Sequence, residues 1–162
     1  MKLDIGCGLN YKKPFDEWTH LDANHADHVE IVCDFGKIDL PDGSVDEIWI
    51  GDVIEHIEPW RIREVLAEWH RILKPRGKIG GQTPNLMKTV QDYVSNGMTI
   101  REALVPRIYG WTDRPTEQHY VTFTQESLSK LFADNGFNVR DYSASPGHSE
   151  CYWWFVFSGT KA

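Results

Sequence analysis

Short apolar runs alternate with turn-forming residues along most of the chain, a pattern that predicts strands joined by helices or loops. Seven runs have the length and composition of strands, namely residues 2–5, 18–21, 29–33, 45–50, 78–82, 137–142 and 152–158. No internal repeat or low-complexity segment accompanies them. The pattern predicts a single seven-stranded α/β sheet whose strands are mostly parallel.

Two segments have the periodicity of amphipathic helices. In the first, apolar residues recur at three- and four-residue spacing over residues 59–74, with Pro59 near the start and Pro75 beyond the end. The second follows Thr124, a residue type that caps helix N-termini, and stops at Gly136, which suits the left-handed conformation of a helix end. Both helices are expected to pack on the sheet.

Between residues 84 and 121 the periodicity weakens, and only a short helix over residues 99–105 is predicted. Long connections in compact domains commonly carry function. Because this one follows the fifth strand, it can fold over the carboxyl ends of the strands. We expect an acceptor-site lid formed by this insertion, within a single domain spanning residues 1–162.

Composition narrows the class of protein. With 162 residues, of which 41% are hydrophobic and 25% charged, the chain has the make-up of one soluble globular domain, and a cytoplasmic location is expected. The 17 lysines and arginines are outnumbered by 24 acidic residues, and the net charge of −7 disfavours nucleic acids and anionic membranes as partners. Three widely spaced cysteines predict neither a disulfide framework nor a metal site.

The first strand runs into a glycine turn, Leu3-Asp4-Ile5-Gly6-Cys7-Gly8. Glycines let a ligand approach the backbone closely, and parallel sheets bind ligands at the carboxyl ends of their strands. Tyr11 stands where a dinucleotide fingerprint needs glycine or alanine, which disfavours a nicotinamide or flavin site. Asp22, at the end of the second strand, is a pure acceptor and suits a pair of ribose hydroxyls.

Further motifs follow in order: Asp34-Phe35 after the third strand, residues 45–56 around the fourth, and residues 68–77 before the fifth. This succession resembles that of the class I S-adenosylmethionine-dependent methyltransferases, most closely the small type 11-like group. The resemblance covers residues 2–85, and a weaker one extends over residues 119–137. It implies a Rossmann-like sheet with helices on both faces, an antiparallel last strand and S-adenosylmethionine as cofactor.

The resemblance also implies which residues bind the cofactor. It places Asp4, Gly6, Cys7 and Gly8 around the methionine part, Asp22 on the ribose, Asp34 and Phe35 at the adenine, and Gly51 and Asp52 at the ammonium. The connection between the glycine turn and Asp22 is short, so the first helix is expected to be shortened or replaced by a loop over residues 10–17.

The acceptor side is less defined by the sequence. His56 and His119 are the candidate catalytic bases, and the candidate acceptor-binding residues are Tyr109, Trp111, Arg114 and Tyr120. Asp52-Val53-Ile54-Glu55 replaces the signature of nucleic-acid base methyltransferases, so we expect transfer to oxygen or nitrogen of a small-molecule or saccharide-like acceptor.

Three alternatives stay open at this stage. The chain can be a non-catalytic, cofactor-binding partner subunit, because its first helix is expected to be short. It can also be another adenosine-ligand enzyme that acts on the sulfonium itself. A homodimer, in which a second copy helps to cover the acceptor site, is left open as well.

Overall fold

The computed structural model describes residues 1–8, 17–95, 97, 99, 105–110, 117–145 and 154–162. Its strands are β1 (Lys2–Ile5), β2 (Thr19–Asp22), β3 (Ile31–Val32), β4 (Val45–Gly51), β5 (Leu73–Pro84), β6 (Phe137–Ser145) and β7 (Trp154–Lys161). They form one sheet in the order β3-β2-β1-β4-β5-β7-β6. Strand β7 is antiparallel to both of its neighbours, and the other pairs are parallel. The predicted seven-stranded sheet with an antiparallel last strand is confirmed.

The strand order reverses between β1 and β4. The chain first builds outward from β1 to β3 and then returns to place β4 on the other side of β1, with Ile5 beside Ile50. At such a reversal the connections leave the two strands in opposite directions, so a crevice opens outside their carboxyl ends. The glycine turn after β1 and the residues after β4 therefore border the same crevice.

The described helices are α1 (Ile62–Ile72), α2 (Leu86–Ser95) and α3 (Gln125–Asp134), together with a one-turn 3₁₀ helix at Ile54–His56 and a π-helical turn at Val105–Tyr109. Helix α1 lies within the predicted range 59–74, and α3 begins directly after its predicted cap. None of these helices combines the length and the hydropathy that crossing a membrane requires.

Helices α1 and α3 pack on the same face of the sheet. Leu66 and Trp69 of α1 and Phe132 of α3 are fully buried in one cluster with the strand residues Ile48 and Phe157. Burial of each such side chain contributes about 1.5–3 kcal/mol to folding. The rings of Phe132 and Phe157 are also in contact, with their centroids 5.2 Å apart.

Polar residues from three strands stand on the second face of the sheet. Glu47, Lys78 and Thr160, on three strands of the sheet, stand on the face opposite Ile48 and Ile79. The segment in which a shortened first helix was expected includes residues 9–16, which lie outside the described residues. The expectation of a helix on this face therefore stays a prediction.

Helix α2 was not predicted from the sequence. Its apolar side chains point outward, with Met87 61%, Val90 42% and Val94 74% exposed, while Thr89 and Asp92 are buried. The apolar residues at 87, 90 and 94 nevertheless recur at helical spacing, a periodicity that the sequence analysis overlooked. Of the short helix that was predicted over residues 99–105, residues 100–104 lie outside the described part of the chain.

Candidate functional site

A cavity of about 570 Å³ opens at the crevice between the ends of β1 and β4. Five parts of the chain form its wall: the glycine turn, the end of β2 with the residues after it, Phe35 after β3, the residues after β4, and residues 117–120. The lining residues are Gly6, Gly8, Asp22, Ala23, Asn24, Phe35, Asp52, Val53, His56, Glu58, Glu117, Gln118 and Tyr120. Seven of the fifteen residues selected from the sequence line this cavity.

The glycine turn has a backbone that needs glycine. Gly6 and Gly8 have φ angles of +71° and +74°, in the left-handed region that side chains disfavour. The amide of Gly6 donates to the carbonyl of Leu21 at 2.7 Å, which fixes the turn against β2. A Cβ atom on Gly6 would lie 2.3 Å from Cγ2 of Val53, so the turn also packs too closely for any larger residue.

Asp22 ties the end of β2 to this turn. Its Oδ2 accepts from the amide of Gly8 at 3.0 Å, and its Oδ1 accepts from the amide of Asn24 at 2.8 Å and from the Asn24 side chain at 3.3 Å. His28 Nε2 lies 2.8 Å from the carbonyl oxygen of Gly8. The carboxylate is 6% exposed and lines the cavity, so its remaining acceptor capacity is directed there.

Asp4 and Cys7 lie beside the turn but do not line the cavity. Asp4 is 5% exposed, and burial raises the pKa of its carboxyl to about 6, an effect that the nearby Asp22 adds to and His20 opposes. Burial, with the charges of the same two carboxylates, raises the pKa of the Cys7 thiol to about 12. A thiol with that pKa is protonated at neutral pH and is not a nucleophile.

Phe35 lines the cavity, whereas Asp34 borders a smaller adjoining cavity of about 170 Å³. Arg61 Nη2 donates to Asp34 Oδ1 at 2.5 Å, and the amide of Gly36 donates to the same oxygen at 2.8 Å. The hydrogen bond from Arg61 lowers the pKa of the Asp34 carboxyl. Because its pKa is lowered, Asp34 is ionised at pH 7. Both hydrogen bonds use Oδ1, and Oδ2 takes part in neither of them.

A left-handed residue redirects the chain after β4. Asp52 has a φ angle of +56°, a conformation that aspartate tolerates better than most residues. Its amide donates to the carbonyl of Gln82 at 3.0 Å, and the Gln82 amide group donates to Asp52 Oδ2 at 2.6 Å. Gly51 is the last residue of β4 and stands directly before this turn. The turn directs the Asp52 side chain into the cavity wall.

His56, which lines the cavity, packs against His119, which does not. Their rings meet edge to face with centroids 4.7 Å apart. His56 Nδ1 donates to the carbonyl of Gln118 at 2.9 Å and His119 Nδ1 donates to that of Arg107 at 3.2 Å. Because a carbonyl oxygen only accepts, each Nδ1 carries the hydrogen and each Nε2 has a lone pair.

Burial lowers the pKa of both imidazoles. For His119 the pKa falls to about 4, since burial is joined by repulsion from His56. For His56 the same burial is partly offset by the hydrogen bond to Gln118 and by the charge of Asp52. Both side chains are therefore neutral at pH 7 and present an unprotonated Nε2.

Glu55 is a site residue that the sequence analysis did not single out. It is 1% exposed, its Oε2 accepts from the Thr83 hydroxyl at 3.0 Å, and its Oε1 has no hydrogen-bond partner among the described residues. Burial and the charge of Asp52 raise the pKa of this carboxyl well above its usual range. The Glu55-His56 pair was the available signal, but the sequence did not reveal its proximity to His119.

The remaining candidates are more scattered. Tyr120 lines the cavity and is 43% exposed, whereas Tyr109 is 53% exposed and does not line it. Trp111 and Arg114 lie outside the described residues. Among the described acceptor-side candidates, Tyr120 and His56 line the cavity, and His119 packs against His56.

Comparison with known proteins identifies the kind of domain. Residues 3–80 match a family model described as a methyltransferase domain, the type 11 family. No protein of curated function matches the sequence significantly.

Solved structures of S-adenosylmethionine-dependent methyltransferases share the fold. The chain is similar to a Burkholderia thailandensis 1,6-didemethyltoxoflavin N1-methyltransferase, with a TM-score of 0.71 and 19% identity over 99% of this chain and 70% of that one. A Methanosarcina mazei methyltransferase gives 0.67 and 16% over 99% and 91%, and one from Archaeoglobus fulgidus gives 0.63 and 18% over 99% and 85%. Residues 3–80 therefore match the type 11 methyltransferase domain family, and the whole chain shares its fold with solved S-adenosylmethionine-dependent methyltransferases.

Proposed function

We propose that the chain binds S-adenosylmethionine in the cavity at the ends of β1 and β4 and transfers its methyl group to a small acceptor. The observation that carries the proposal is the pairing of a left-handed glycine turn with the buried carboxylate of Asp22 at the mouth of the crevice. The Burkholderia thailandensis neighbour, whose structure includes S-adenosylhomocysteine, supports this choice of ligand.

Each cofactor moiety has a matching group. Asp22 accepts from the ribose hydroxyls, which displace the longer of its two bonds to Asn24. The methionine part lies along the turn of Asp4, Gly6, Cys7 and Gly8, and its ammonium meets the Gly51 carbonyl and the Asp52 carboxylate. Phe35 packs against the adenine, whose amino group donates to Asp34 Oδ2.

Methyl transfer requires little from the protein beyond alignment. The sulfonium carries the charge and the leaving group, so the acceptor lone pair attacks the methyl carbon while the carbon–sulfur bond breaks and neutral S-adenosylhomocysteine leaves. Holding the two reactants in line supplies about 7–11 kcal/mol of the barrier reduction. A base that takes the acceptor's proton adds about 10²–10⁴-fold.

The acceptor enters from the side of His56, His119 and Tyr120. We assign it as an oxygen or nitrogen nucleophile on a small or saccharide-like molecule, with the two imidazoles as the catalytic residues on that side. Tyr109, Trp111 and Arg114 belong to the same proposed acceptor surface. The methyltransferase from Burkholderia thailandensis, whose structure includes the small molecule 1,6-didemethyltoxoflavin, supports a small acceptor.

Incubation with methyl-labelled cofactor and fractionated metabolite extract tests this function. We expect release of S-adenosylhomocysteine together with label in one fraction. His119→Ala should lower that rate by up to about 10²–10⁴-fold while leaving the affinity for S-adenosylhomocysteine unchanged, because the imidazole serves only the acceptor. The matched control is His25→Ala, which removes an exposed histidine outside the cavity wall. Tight cofactor binding without transfer to any fraction would instead favour a non-catalytic partner subunit.

A further inference from the structure

Three metal-ligating side chains from two distant parts of the chain meet beside the cavity. One ligand atom each of Glu55, His56 and His119 lies within 4.8 Å of the other two. Glu55 and His56 are neighbours on the 3₁₀ helix after β4, whereas His119 comes from the segment that precedes α3. His56 lines the cavity, so the cluster has access to ligands from that side.

The backbone holds the two segments together. The amide of Tyr120 donates to the carbonyl of Glu55 at 2.8 Å, and the amide of His119 donates to the carbonyl of Tyr109 at 2.9 Å. Gly110, with a φ angle of +66°, allows this approach, because a Cβ there would lie 2.0 Å from the carbonyl oxygen of Glu117. The cluster is thus built into the fold and does not depend on chance encounters of long side chains.

Each of the three side chains is also oriented by a second group. Both histidines donate Nδ1–H to a backbone carbonyl, which leaves Nε2 as the ligand atom, and the Thr83 hydroxyl holds Oε2 of Glu55. Outer partners of this kind accompany histidine and carboxylate ligands in metal sites. The other carboxylate oxygen, Oε1, is buried without a hydrogen-bond partner among the described residues, a costly arrangement that a bound cation would relieve.

We propose that Glu55, His56 and His119 bind a divalent transition-metal ion of the Zn²⁺ type. Two neutral imidazoles and one carboxylate are a ligand set that Zn²⁺ accepts, with further positions open to water or another ligand. Such an ion takes ligands at about 2.0–2.2 Å, and separations within 4.8 Å put the three side chains in reach of one ion. The negative charge of Asp52 acts on all three side chains and favours a cation there.

The proposal stands on the cluster itself and not on methyl transfer. With an ion bound, the Nε2 lone pairs of His56 and His119 would be ligands and no longer bases, and a Lewis acid with an open position would instead hold the acceptor hydroxyl or amine and lower its pKa. The proposed ion would therefore favour acceptors whose hydroxyl or amine binds a metal. Two bases without a metal would not make that selection.

The test is titration of the tag-free, metal-stripped chain with Zn²⁺ alone by calorimetry, followed by Co²⁺ titration monitored by visible absorption. We expect one ion per chain. Glu55→Gln keeps the shape of the buried side chain but removes its charge, and we expect it and His56→Ala each to weaken binding by about 100-fold or more, beyond the 10- to 100-fold typical of losing an outer partner. His25→Ala, which removes an exposed histidine elsewhere, should bind as the unaltered chain does.

Equal Zn²⁺ affinity in the unaltered chain, Glu55→Gln and His56→Ala would overturn the proposal, as would an ion that binds with less than one equivalent per folded chain. Because Glu55→Gln is nearly isosteric and His56 is only half-buried, thermal melts of these two variants separate loss of the site from loss of the fold. Neither readout depends on the cofactor, so failure of the metal site leaves the proposed methyl transfer to be judged by its own assay.

Discussion

At the scale of single residues, three buried carboxyl groups lie in or beside the candidate site. Asp4, Asp22 and Glu55 are each less than a tenth exposed, and they differ in what surrounds them. Asp22 accepts hydrogen bonds from two amides, whereas Glu55 has one carboxylate oxygen without a partner among the described residues. Asp22 could be predicted from the sequence because it ends a strand beside a glycine turn. Glu55 could not, since its importance arises from a contact with residues far along the chain.

The buried Asp4 makes stability depend on pH. Its pKa is about 6 in the folded chain against an ordinary value of 3.8, so the folded state retains a proton that the unfolded state has lost between these values. Stability therefore falls as pH rises from about 4 to about 6 and is level above that. The difference in pKa corresponds to about 3 kcal/mol.

Asp4→Asn should remove this slope. We expect the variant to be more stable than the unaltered chain at pH 7.5, by up to about 3 kcal/mol, and equal to it at pH 4, because the amide never ionises. Denaturant unfolding at the two pH values measures this. Asp39→Asn, at an exposed position, is the control and should change neither value. A variant that is less stable at pH 7.5 would show that ionised Asp4 is a favourable partner in the fold.

At the scale of elements, the sequence predicted some helices and strands more accurately than others. Helix α1 buries five apolar residues at helical spacing and was predicted to within three residues at its start. Strand β3, predicted over residues 29–33, is confined to Ile31–Val32, because this edge has few ladder partners. Helix α2 was overlooked in the sequence although its apolar residues recur at helical spacing, and the side that they form, with Met87 and Val94, is exposed.

The start of α3 offers a direct test at this scale. Thr124 Oγ1 accepts from the amide of Ser127 at 3.2 Å, and Ser127 Oγ accepts from the amide of Thr124 at 2.9 Å, which closes a capping box. Thr124→Ala should lower the free energy of unfolding by about 1 kcal/mol. Thr122→Ala makes the same chemical change two residues before the capping residue and should cost much less. Equal losses in thermal or denaturant unfolding would mean that the cap contributes nothing.

At the scale of the whole molecule, the sheet order explains why distant motifs share one cavity. The reversal between β1 and β4 brings the glycine turn, Asp22 and the residues after β4 to one edge, so motifs that are distant in the sequence line the same cavity. The acceptor side depends on where the connection after β5 folds back. The amides of Tyr120 and Val121 donate to the carbonyl of Glu55, and this long-range contact, which the sequence does not reveal, places residues 117–121 beside the cavity.

The most direct test of the account is a calorimetric titration of S-adenosylhomocysteine into the folded chain and into Asp22→Ala. We expect a dissociation constant in the micromolar range, near −8 kcal/mol at about 1 µM, and no heat from NAD. Asp22→Ala should bind about ten- to a hundredfold more weakly, because it loses a charge-assisted acceptor worth about 1.5–3 kcal/mol. Absence of heat with S-adenosylhomocysteine on folded protein, or equal affinity of the two chains, would contradict the cofactor site described above.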